Sequence, residues 1–328
     1  MKFSIVITTY NRLPLLRRAV ESALAQTWPC EVVVADDCSD DGTQEYISSL
    51  GDRVVYQRNS VNLGHSATLN AGVSAARGQW IKPLDDDDYL APNCIEEMSR
   101  AIAKRPQAVL CSCQAIQVDD SGSEITRTQS SGPGKSFYVP QEDIHYGMLM
   151  EVVPFGTPVQ VAFQRDAFIK SGGWDSALDT NCDDIDSWVR IAQYGDAVFL
   201  NDYLAYRTLW PGGYNKKFSL EKRLDTSILI KDRIYKLVSE NHRSSLPALE
   251  DIHGYLKLHW SVVSLKQRKP ATALAMAYPA MFSLTAWKYL AIAVFSRKVN
   301  HKAHCIRQEV IEQEMVLIAP KAPALAKC

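Results

Sequence analysis

The sequence predicts an α/β protein with a mostly parallel β-sheet that is flanked by helices. The first hundred of the 328 residues alternate short apolar runs with stretches of helical spacing. Repeated strand–helix units of this size favour parallel strands joined by right-handed crossovers, with helices on both faces. Each apolar run also ends in polar residues, namely Thr8-Thr9-Tyr10-Asn11, Asp36-Asp37 and Asp85 to Asp88. Ligands bind beyond the carboxyl ends of such strands, so we expect these polar ends to converge on one site.

The periodicity of the apolar residues gives the position of each element. Strands are predicted at residues 3–9, 31–35, 54–57 and 80–84, and helices between them at residues 13–26, 43–50 and 66–76. One face of the first predicted helix is apolar and consists of Leu16, Ala19, Val20, Ala23 and Leu24. Later strands are expected at residues 108–118, 159–163 and 197–200, with a loop over residues 119–135.

The chain changes character near residue 219, where strand patterns give way to long helical ones. We therefore predict a first domain over residues 1–215 and a helical C-terminal extension over residues 216–328. Residues 271–295 are nearly all apolar, interrupted by Pro279 and Lys288 and flanked by basic residues. A buried helical pair, an interfacial anchor and a membrane span all fit this run. A charge near mid-bilayer costs at least about 2.5 kcal/mol, and basic flanks suit an anionic surface, so we expect peripheral membrane contact rather than a span.

Bulk properties argue against several classes of protein. The formal net charge of −1 is not that of a protein that coats nucleic acid, so no nucleic acid partner is expected. The eight cysteines are scattered without a C-x-x-C pair, which favours a reducing cytoplasm over a disulfide framework or a zinc site. The chain begins directly with a strand pattern, so we expect no secretory signal. The predicted location is the cytoplasm, with peripheral contact to the inner face of the cell membrane.

Four consecutive aspartates, Asp85 to Asp88, follow the apolar residues 80–84. Like charges packed this closely repel, so solvent, basic partners or a bound cation must compensate them. Hard divalent cations such as Mg²⁺ take oxygen ligands and often complete their shell with substrate phosphates. A solvated acidic turn is the alternative interpretation, and it would be favoured for an isolated acidic run.

Two further acidic clusters occur along the chain. Residues 36–43 fail as an EF-hand loop because Ser48 stands where a bidentate glutamate is needed. The sequence contains no G-x-x-x-x-G-K-[ST] motif, and no G-x-G-x-x-G follows the first strand, so phosphates would be held by a metal. In the third cluster, helical spacing predicts an ion pair between Asp186 and Arg190. Asp183 and Asp184 then begin a helix, where the dipole favours negative charge, and a simple charged helix cap is the alternative.

Together these motifs resemble family 2 glycosyltransferases. The matching segments are Ser4 to Arg12, Val34 to Thr43, Asn62-Leu63-Gly64, Asn70-Ala71-Gly72, Gly78, Leu84 to Asp88, Gly172-Gly173-Trp174-Asp175 and Asp183 to Asp186. The resemblance implies the GT-A fold, a mostly parallel Rossmann-like sheet flanked by helices. It also implies an inverting, metal-dependent transferase that moves a sugar from a nucleotide diphosphate sugar to an acceptor hydroxyl. We expect the acceptor to be a glycan or lipid-linked, in cell-surface polysaccharide synthesis.

The resemblance further implies roles for individual residues. Contacts to the nucleoside are expected from Thr8, Tyr10, Asp36, Asp37 and Asp85. Asp87 is expected to bind the metal, Mn²⁺ or Mg²⁺, with Asp88 as a further candidate. Asp184 matches the general base of the family. This agrees with the chemistry, because inversion by a single displacement needs one base on the acceptor hydroxyl and a metal to stabilise the departing diphosphate.

Several positions depart from the family pattern. Asp183 stands where glutamate is usual, and Leu209 and Trp210 occupy the place of a histidine that contacts the diphosphate. The basic residues that could replace that histidine are Arg207, Lys216 and Lys217. The aromatic residues near the predicted base, whose rings suit the apolar faces of sugars, are Trp174, Trp188, Trp210 and Tyr214. Of these, Trp188 fits core packing better.

Two alternative functions have weaker support in the sequence. A sugar nucleotidyltransferase also uses an α/β sheet and Mg²⁺, but it usually has a glycine-rich loop after the first strand, and residues 8–12 contain no glycine. The other alternative is a catalytically inactive glycan-binding subunit. The joint presence of Asp37, Asp85, Asp87 and Asp184 argues against it. None of the seven histidines is assigned to the site, and His65 is interpreted as a loop residue.

Overall fold

The computed structural model describes residues 1–129, 132, 134–153, 155–179, 182–210 and 218–296, with side chains as far as residue 291. Its strands are β1 (Phe3–Thr9), β2 (Cys30–Asp36), β3 (Val55–Arg58), β4 (Trp80–Asp85), β5 (Tyr89–Leu90), β6 (Ala108–Val118), β7 (Glu124–Arg127), β8 (Ser136–Val139), β9 (Val161–Gln164) and β10 (Asp196–Thr208). Its α-helices are α1 (Leu13–Leu24), α2 (Thr43–Ser49), α3 (His65–Ala75), α4 (Cys94–Ala103), α5 (Gln141–Leu149), α6 (Arg165–Lys170), α7 (Asp183–Ile191), α8 (Leu220–Leu237), α9 (Leu249–Lys266), α10 (Pro270–Ala277) and α11 (Leu284–Ser296).

The described strands form one sheet in the order β3-β2-β1-β4-β9-β6-β10-β5, with β7 beside β6 and β8 beside β10. Strands β1 to β4, β6 and β10 run in one direction, and β5, β7, β8 and β9 run in the other. Strand β9 therefore lies antiparallel between β4 and β6, although it follows both in the sequence. The predicted α/β class with a mostly parallel sheet is confirmed.

Helices cover both faces of the sheet. Successive residues of a strand point to opposite faces, so neighbouring residues of β1 belong to different hydrophobic clusters. Val6 of β1 belongs to a hydrophobic cluster with Leu69 and Val73 of α3. Its neighbours Ile5 and Ile7 belong to a second cluster, in which α1 buries Leu16, Ala19, Val20 and Ala23. These α1 residues belong to the predicted apolar face of the first helix.

The sequence prediction lacks strands β5, β7 and β8, and it makes β10 too short. Strand β10 covers Asp196–Thr208 rather than residues 197–200 alone, because it pairs with β8, β6 and β5 along different parts of its length. Strand β7 lies inside the predicted loop of residues 119–135, where it pairs antiparallel with β6. All residues of β7 are exposed, so the sequence has no apolar alternation that would indicate this strand.

The C-terminal helices pack on one another and on the rest of the molecule. Helix α8 contacts α5 and α7, and α9 contacts α8, α10 and α11. The apolar run of residues 271–295 is divided between α10 and α11, which bury Ala273, Met276, Ala286 and Leu290. Among the described helices, none combines the length and the hydropathy needed to cross a bilayer. The predicted boundary after residue 215 lies outside the described residues.

Candidate active site

The carboxyl ends of β1, β2 and β4 lie side by side at one edge of the sheet. Parallel pairing sets Thr9 of β1 opposite Asp36 of β2, and Thr8 opposite Asp85 of β4. The Thr8 hydroxyl donates a hydrogen bond of 3.2 Å to the Asp85 carboxylate. Thr8 is buried, whereas Tyr10, just beyond the strand, is 47% exposed. The polar strand ends therefore meet, as the sequence predicts.

Asp36 is buried and holds the loop that follows β2. One of its carboxylate oxygens accepts hydrogen bonds from the backbone N–H and the hydroxyl of Ser39. The other accepts from the Tyr56 hydroxyl and lies 3.4 Å from the Arg58 guanidinium. Burial and the bond to Asp36 raise the pKa of the Tyr56 hydroxyl, so this group stays a proton donor. Both oxygens of Asp36 therefore have partners within the protein.

Asp37 is also buried, and its hydrogen bonds hold the loop between β3 and α3. Its carboxylate accepts a hydrogen bond of 2.8 Å from the Asn59 side chain. It also accepts bonds of 2.8 and 2.9 Å from the backbone N–H groups of Leu63 and Gly64. Since α3 begins at the next residue, Asp37 fixes where the N-terminus of that helix meets the strand ends.

The three aspartates that follow Asp85 differ in their surroundings. A guanidinium nitrogen of Arg12 lies 3.2 Å from the carboxylates of both Asp86 and Asp87. Asp88 accepts a hydrogen bond of 2.8 Å from the backbone N–H of Thr208 in β10. Asp86 and Asp88 are buried, whereas 19% of the Asp87 side chain is exposed. Asp87 is therefore the most accessible of these three carboxylates.

The crowding of these carboxylates changes their acidity. Burial, together with the charge of Asp87, raises the pKa of Asp86 to about 7. Burial and the charge of Asp85 raise the pKa of Asp87. Burial and the charges of Asp87 and Asp85 raise the pKa of Asp88 well above its usual range. Asp85 is the exception: although burial acts the other way, the adjacent His65 holds its pKa below the usual value.

Three of these carboxylates form a set that fits a hard cation. Asp85, Asp87 and Asp88 each have an oxygen within 4.8 Å of the others. Oxygen donors of this kind suit Mn²⁺ or Mg²⁺, and a cation among them would relieve the repulsion that raises the pKa of Asp87 and Asp88. Arg207 of β10 is near enough for its charge to oppose the raised pKa of Asp88. The other predicted basic residues, Lys216 and Lys217, lie outside the described residues.

A second acidic group stands at the start of α7. Burial and the charge of Asp183 raise the pKa of Asp184 to about 7, and the charge of Asp85 acts in the same direction. The Asp184 carboxylate accepts a hydrogen bond of 2.7 Å from the backbone N–H of Ile185. Asp183 accepts one of 3.0 Å from the Ser66 hydroxyl of α3. The start of α7 therefore faces both the start of α3 and the strand-end acids.

Asp186, one turn further along α7, has a structural role. Its side chain is fully buried and forms an ion pair with Arg190 at 2.7 Å, which confirms the pairing predicted from helical spacing. Its other oxygen contacts Arg233 of α8. The carboxylate of Asp186 therefore links the helix of the candidate base to the first C-terminal helix.

Trp174 is held close to the site by its backbone. Its N–H donates to the side-chain oxygen of Asn70, whose amide donates back to the Trp174 carbonyl, both at 2.9 Å. A Cβ at Gly173 would lie 2.7 Å from that same Asn70 oxygen, so the position requires glycine. Trp174 itself is only 3% exposed, and its ring meets the fully buried Trp188 edge to face at 6.1 Å. Trp188 is a core residue, as interpreted from the sequence, and Tyr214 lies outside the described residues.

His65 and Arg12 are residues of the site that sequence reasoning missed. His65 is the first residue of α3, not a loop residue, and its Nε2 lies 2.9 Å from a carboxylate oxygen of Asp85. Its Nδ1 lies 3.5 Å from the carboxylate of Asp183, and its ring packs edge to face with Trp174 at 5.3 Å. Although burial lowers its pKa, the two carboxylates raise it well above the usual value. The sequence feature that could have indicated His65 is its position directly after Asn62-Leu63-Gly64, a segment that matches the family pattern.

Comparisons with known sequences point to one family. The family model described as Glycosyl transferase family 2 matches residues 4–172. The succinoglycan biosynthesis protein ExoO of Rhizobium meliloti is 39% identical over 117 residues, which cover 35% of this chain and 34% of ExoO. An uncharacterized glycosyltransferase of Rickettsia prowazekii is 25% identical over 287 residues, which cover 81% of this chain and 85% of that protein.

Solved structures share the fold. Residues 1–349 of Staphylococcus aureus TarS in complex with UDP-GlcNAc superpose with a TM-score of 0.59 at 16% identity, covering 91% of this chain and 92% of that one. The mannosyltransferase PcManGT of Pyrobaculum calidifontis, in complex with GDP-Man and Mn²⁺, gives 0.55 at 19% identity, covering 97% and 85%. The GT-A fold expected from the sequence is confirmed. With just over half of the chain matched by the family model, this protein belongs to glycosyltransferase family 2.

Proposed function

We propose that this protein is an inverting, metal-dependent glycosyltransferase that moves a sugar from a nucleoside diphosphate sugar to a hydroxyl of a glycan or lipid-linked acceptor. One observation supports this most directly. The cation-fitting carboxylates at the strand ends and the raised-pKa acid Asp184 occupy the same site, with His65 between the two groups. The name of ExoO supports a role in polysaccharide synthesis, and the UDP-GlcNAc and GDP-Man bound by the solved neighbours support a nucleotide sugar donor.

The nucleoside would bind where β1, β2 and β4 end. Tyr10 and Asp85 are accessible there and would contact it directly, with the Thr8 hydroxyl orienting Asp85. Asp36 and Asp37 would shape the walls of this site through the loops that they hold.

Asp87, with Asp85 and Asp88, would bind Mn²⁺ or Mg²⁺. The bound cation would supply the positive charge that stabilises a departing diphosphate. Arg207, on β10 beside Asp88, would add charge to the same end of the site and so take the place of the family's histidine.

Asp184 would act as the general base. A pKa of about 7 suits this task, because the carboxylate is then ionised near neutral pH and is still basic enough to accept a proton. It would take the proton of the acceptor hydroxyl as that oxygen attacks the sugar from the face opposite the diphosphate. Asp183 would hold the start of α7 against Ser66 of α3, and the buried Trp174 would form a wall of the acceptor site rather than an open stacking surface.

An exposed apolar surface supports peripheral contact with an anionic membrane. The C-terminal apolar surface consists of Leu274, Tyr278, Phe282, Leu284 and Trp287, of which Phe282 is 84% and Leu284 87% exposed. Residues 252–296 contain no acidic residue, and their basic residues are Lys257, Lys266, Arg268, Lys269 and Lys288. Apolar side chains together with positive charge suit the surface of an anionic bilayer. Such contact at the inner face of the cell membrane would bring the enzyme to a lipid-linked acceptor.

Incubation with a panel of nucleotide sugars tests the activity. We expect Mn²⁺-dependent release of a nucleoside diphosphate with one donor, and loss of that release when EDTA is added. Formation of a nucleotide sugar from a nucleoside triphosphate and a sugar 1-phosphate would instead indicate a nucleotidyltransferase. Glycan binding without turnover of any donor would indicate an inactive binding subunit.

A further inference from the structure

His65 makes the ion-pair contacts of carboxylates on both sides of the candidate site. Its Nε2 lies 2.9 Å from Asp85 at the end of β4, and its Nδ1 lies 3.5 Å from Asp183 at the start of α7. Among the described residues, His65 is the only side chain that forms an ion pair with Asp85 or with Asp183. The imidazole is therefore the side chain that spans the donor side and the acceptor side.

We propose that His65 is a positioning residue for sugar transfer, which holds Asp85 in its donor-binding orientation and fixes the start of α7, and so the base Asp184, relative to it. The proposal rests on the function proposed above. The reaction proposed above does not yet use His65, and the two nitrogens of its ring would have separate tasks. Nε2 serves the donor side, and Nδ1 serves the acceptor side.

The chain places His65 by several independent contacts. The Asp37 carboxylate accepts hydrogen bonds from the backbone N–H groups of Leu63 and Gly64. These bonds fix the position of the backbone immediately before His65. Gly64 has a φ of +89°, and a Cβ there would lie 2.5 Å from a carboxylate oxygen of Asp179. Only glycine meets both conditions without a shift of its surroundings. The backbone before His65 is therefore fixed tightly against the loop that leads to α7.

The side-chain environment also limits how the imidazole can move. The Ser66 hydroxyl lies 3.0 Å from Asp183 and 3.2 Å from Asp179, so the start of α3 is bonded to the acids before and at the start of α7. The imidazole and the Trp174 ring pack edge to face at an interplanar angle of 68°. About a third of the His65 side chain, 37%, remains exposed. The imidazole is therefore held by its neighbours but remains partly accessible to solvent.

Such a link matters for a single displacement, because the base and the donor must be aligned when the acceptor attacks. A misplacement of about 1 Å can lower a rate by about a hundredfold. His65 ties the strand that ends in donor-binding carboxylates to the helix that starts with the base. A variant that breaks only one of its contacts should therefore impair only one side of the reaction.

Two amide variants separate the contacts. The amide nitrogen of glutamine reaches approximately the place of Nε2, and that of asparagine approximately the place of Nδ1. We expect His65→Gln to keep the donor KM within about threefold of wild type while kcat falls by about tenfold or more. We expect His65→Asn to raise the donor KM by about tenfold, because the contact to Asp85 is lost.

A binding measurement gives a readout that does not depend on turnover. Calorimetry with UDP and with GDP, each in the presence of Mn²⁺, should show near-normal affinity for His65→Gln and weakened affinity for His65→Asn. If the wild-type protein shows no turnover with any donor, the proposed function fails, but this comparison still tests the role of Nε2. Equal affinity of both variants and wild type would overturn the proposal.

A matched control comes from a histidine–aspartate pair of similar exposure. His253 of α9 lies 2.5 Å from Asp232 of α8, within the C-terminal helices. His253→Gln and His253→Asn should leave KM and kcat unchanged. Circular dichroism and thermal unfolding confirm that each variant is folded. If the two His65 variants lower kcat equally and leave the donor KM unchanged, the division of tasks between the nitrogens is wrong.

Discussion

At the scale of single residues, Asp184 differs from its neighbour Asp186 although both belong to α7. Asp186 is neutralised by two arginines, whereas burial and Asp183 leave Asp184 with a raised pKa. We expect Asp184→Asn to abolish transfer while calorimetry of a nucleoside diphosphate with Mn²⁺ gives near-normal affinity, because the amide keeps the shape but accepts no proton. Should the affinity collapse together with the activity, Asp184 belongs to the donor site and the base lies elsewhere.

The acidity of Asp184 also predicts how the rate depends on pH. The base acts in its ionised form, and its pKa is raised to about 7. Below that value the ionised fraction falls, so kcat/KM should drop by about tenfold for each unit of pH and should reach a plateau above it. Initial rates across this range, with the metal kept saturating, give the profile. A rate that stays constant down to about pH 5 would be incompatible with Asp184 as the base.

Asp87 is more accessible than Asp86 and Asp88, and it is the predicted metal ligand. We expect Asp87→Ala to abolish transfer and to leave the fold intact, because the ion-pair partner of Asp87 is the half-exposed Arg12 rather than a core residue. Asp52→Ala is the matched control, since Asp52 is an exposed carboxylate in the short helix Gly51–Arg53 before β3. Turnover of Asp87→Ala within a few-fold of wild type at saturating Mn²⁺ would contradict the metal assignment.

Sequence reasoning found the acids of the site more readily than their partners. Asp85 to Asp88, Asp183 and Asp184 stand out as clusters at predicted strand or helix ends, and the structure brings these clusters together. Arg12 and His65 do not stand out, because a single basic residue at the start of a helix shows no periodicity. Their contacts depend on how β1, β4, α3 and α7 meet, which no local pattern contains. The roles of all these residues in catalysis stay predictions.

At the scale of elements, the buried carboxylate of Asp186 joins α7 to α8. Removal of one partner from a buried ion pair leaves uncompensated charge, so we expect Asp186→Ala to lower the free energy of unfolding by about 3 kcal/mol or more. Arg100→Ala is the control, because that side chain is 60% exposed in its pairs with Glu96 and Glu97, and it should cost about 1 kcal/mol or less. Urea denaturation measures both. Equal losses would show that the buried pair is not specially important.

Elements with a strong apolar pattern were predicted nearly to the residue. Strand β1 and strand β6 have the predicted bounds, and α1 buries the predicted face except for Leu24, which is only partly buried. Strand β7 was missed because all of its residues are exposed. Strand β10 was predicted too short because residues 201–208, which pair with β6 and β5, mix buried and half-buried residues without a regular period. The presence and length of such strands depend on pairing with distant strands, which the periodicity of the sequence does not indicate.

At the scale of the whole molecule, the C-terminal apolar surface predicts binding to anionic vesicles. We expect the protein to sediment with vesicles that contain phosphatidylglycerol, to stay in solution with phosphatidylcholine alone, and to be released by high salt or carbonate. The double variant Phe282→Ser/Leu284→Ser should weaken this binding, because both side chains are exposed and apolar. Ile125→Ser is the control, since Ile125 is 54% exposed on β7.

Two results would overturn the peripheral interpretation. Retention in the membrane pellet until detergent is added would indicate insertion. A dimer in solution that the double variant dissociates would instead show that a second copy covers the C-terminal apolar surface. The division into domains at residues 1–215 and 216–328 stays a prediction, and α8 shares its hydrophobic cluster with the sheet, as Leu220, Ile230 and Ile234 show.

The position of β9 has a consequence for the order in which the protein assembles during synthesis. A nascent chain that has emerged as far as residue 150 already contains Thr8, Asp37 and Asp85, yet β4 and β6 still lack the strand that lies between them. Until Val161–Gln164 arrives, the edges of β4 and β6 that pair with β9 stay unpaired, and such edges readily join those of other chains. Premature termination or slow translation near residue 150 should therefore give aggregates rather than a smaller working enzyme. The sheet that carries Thr8, Asp37 and Asp85 therefore depends for its completion on residues translated much later.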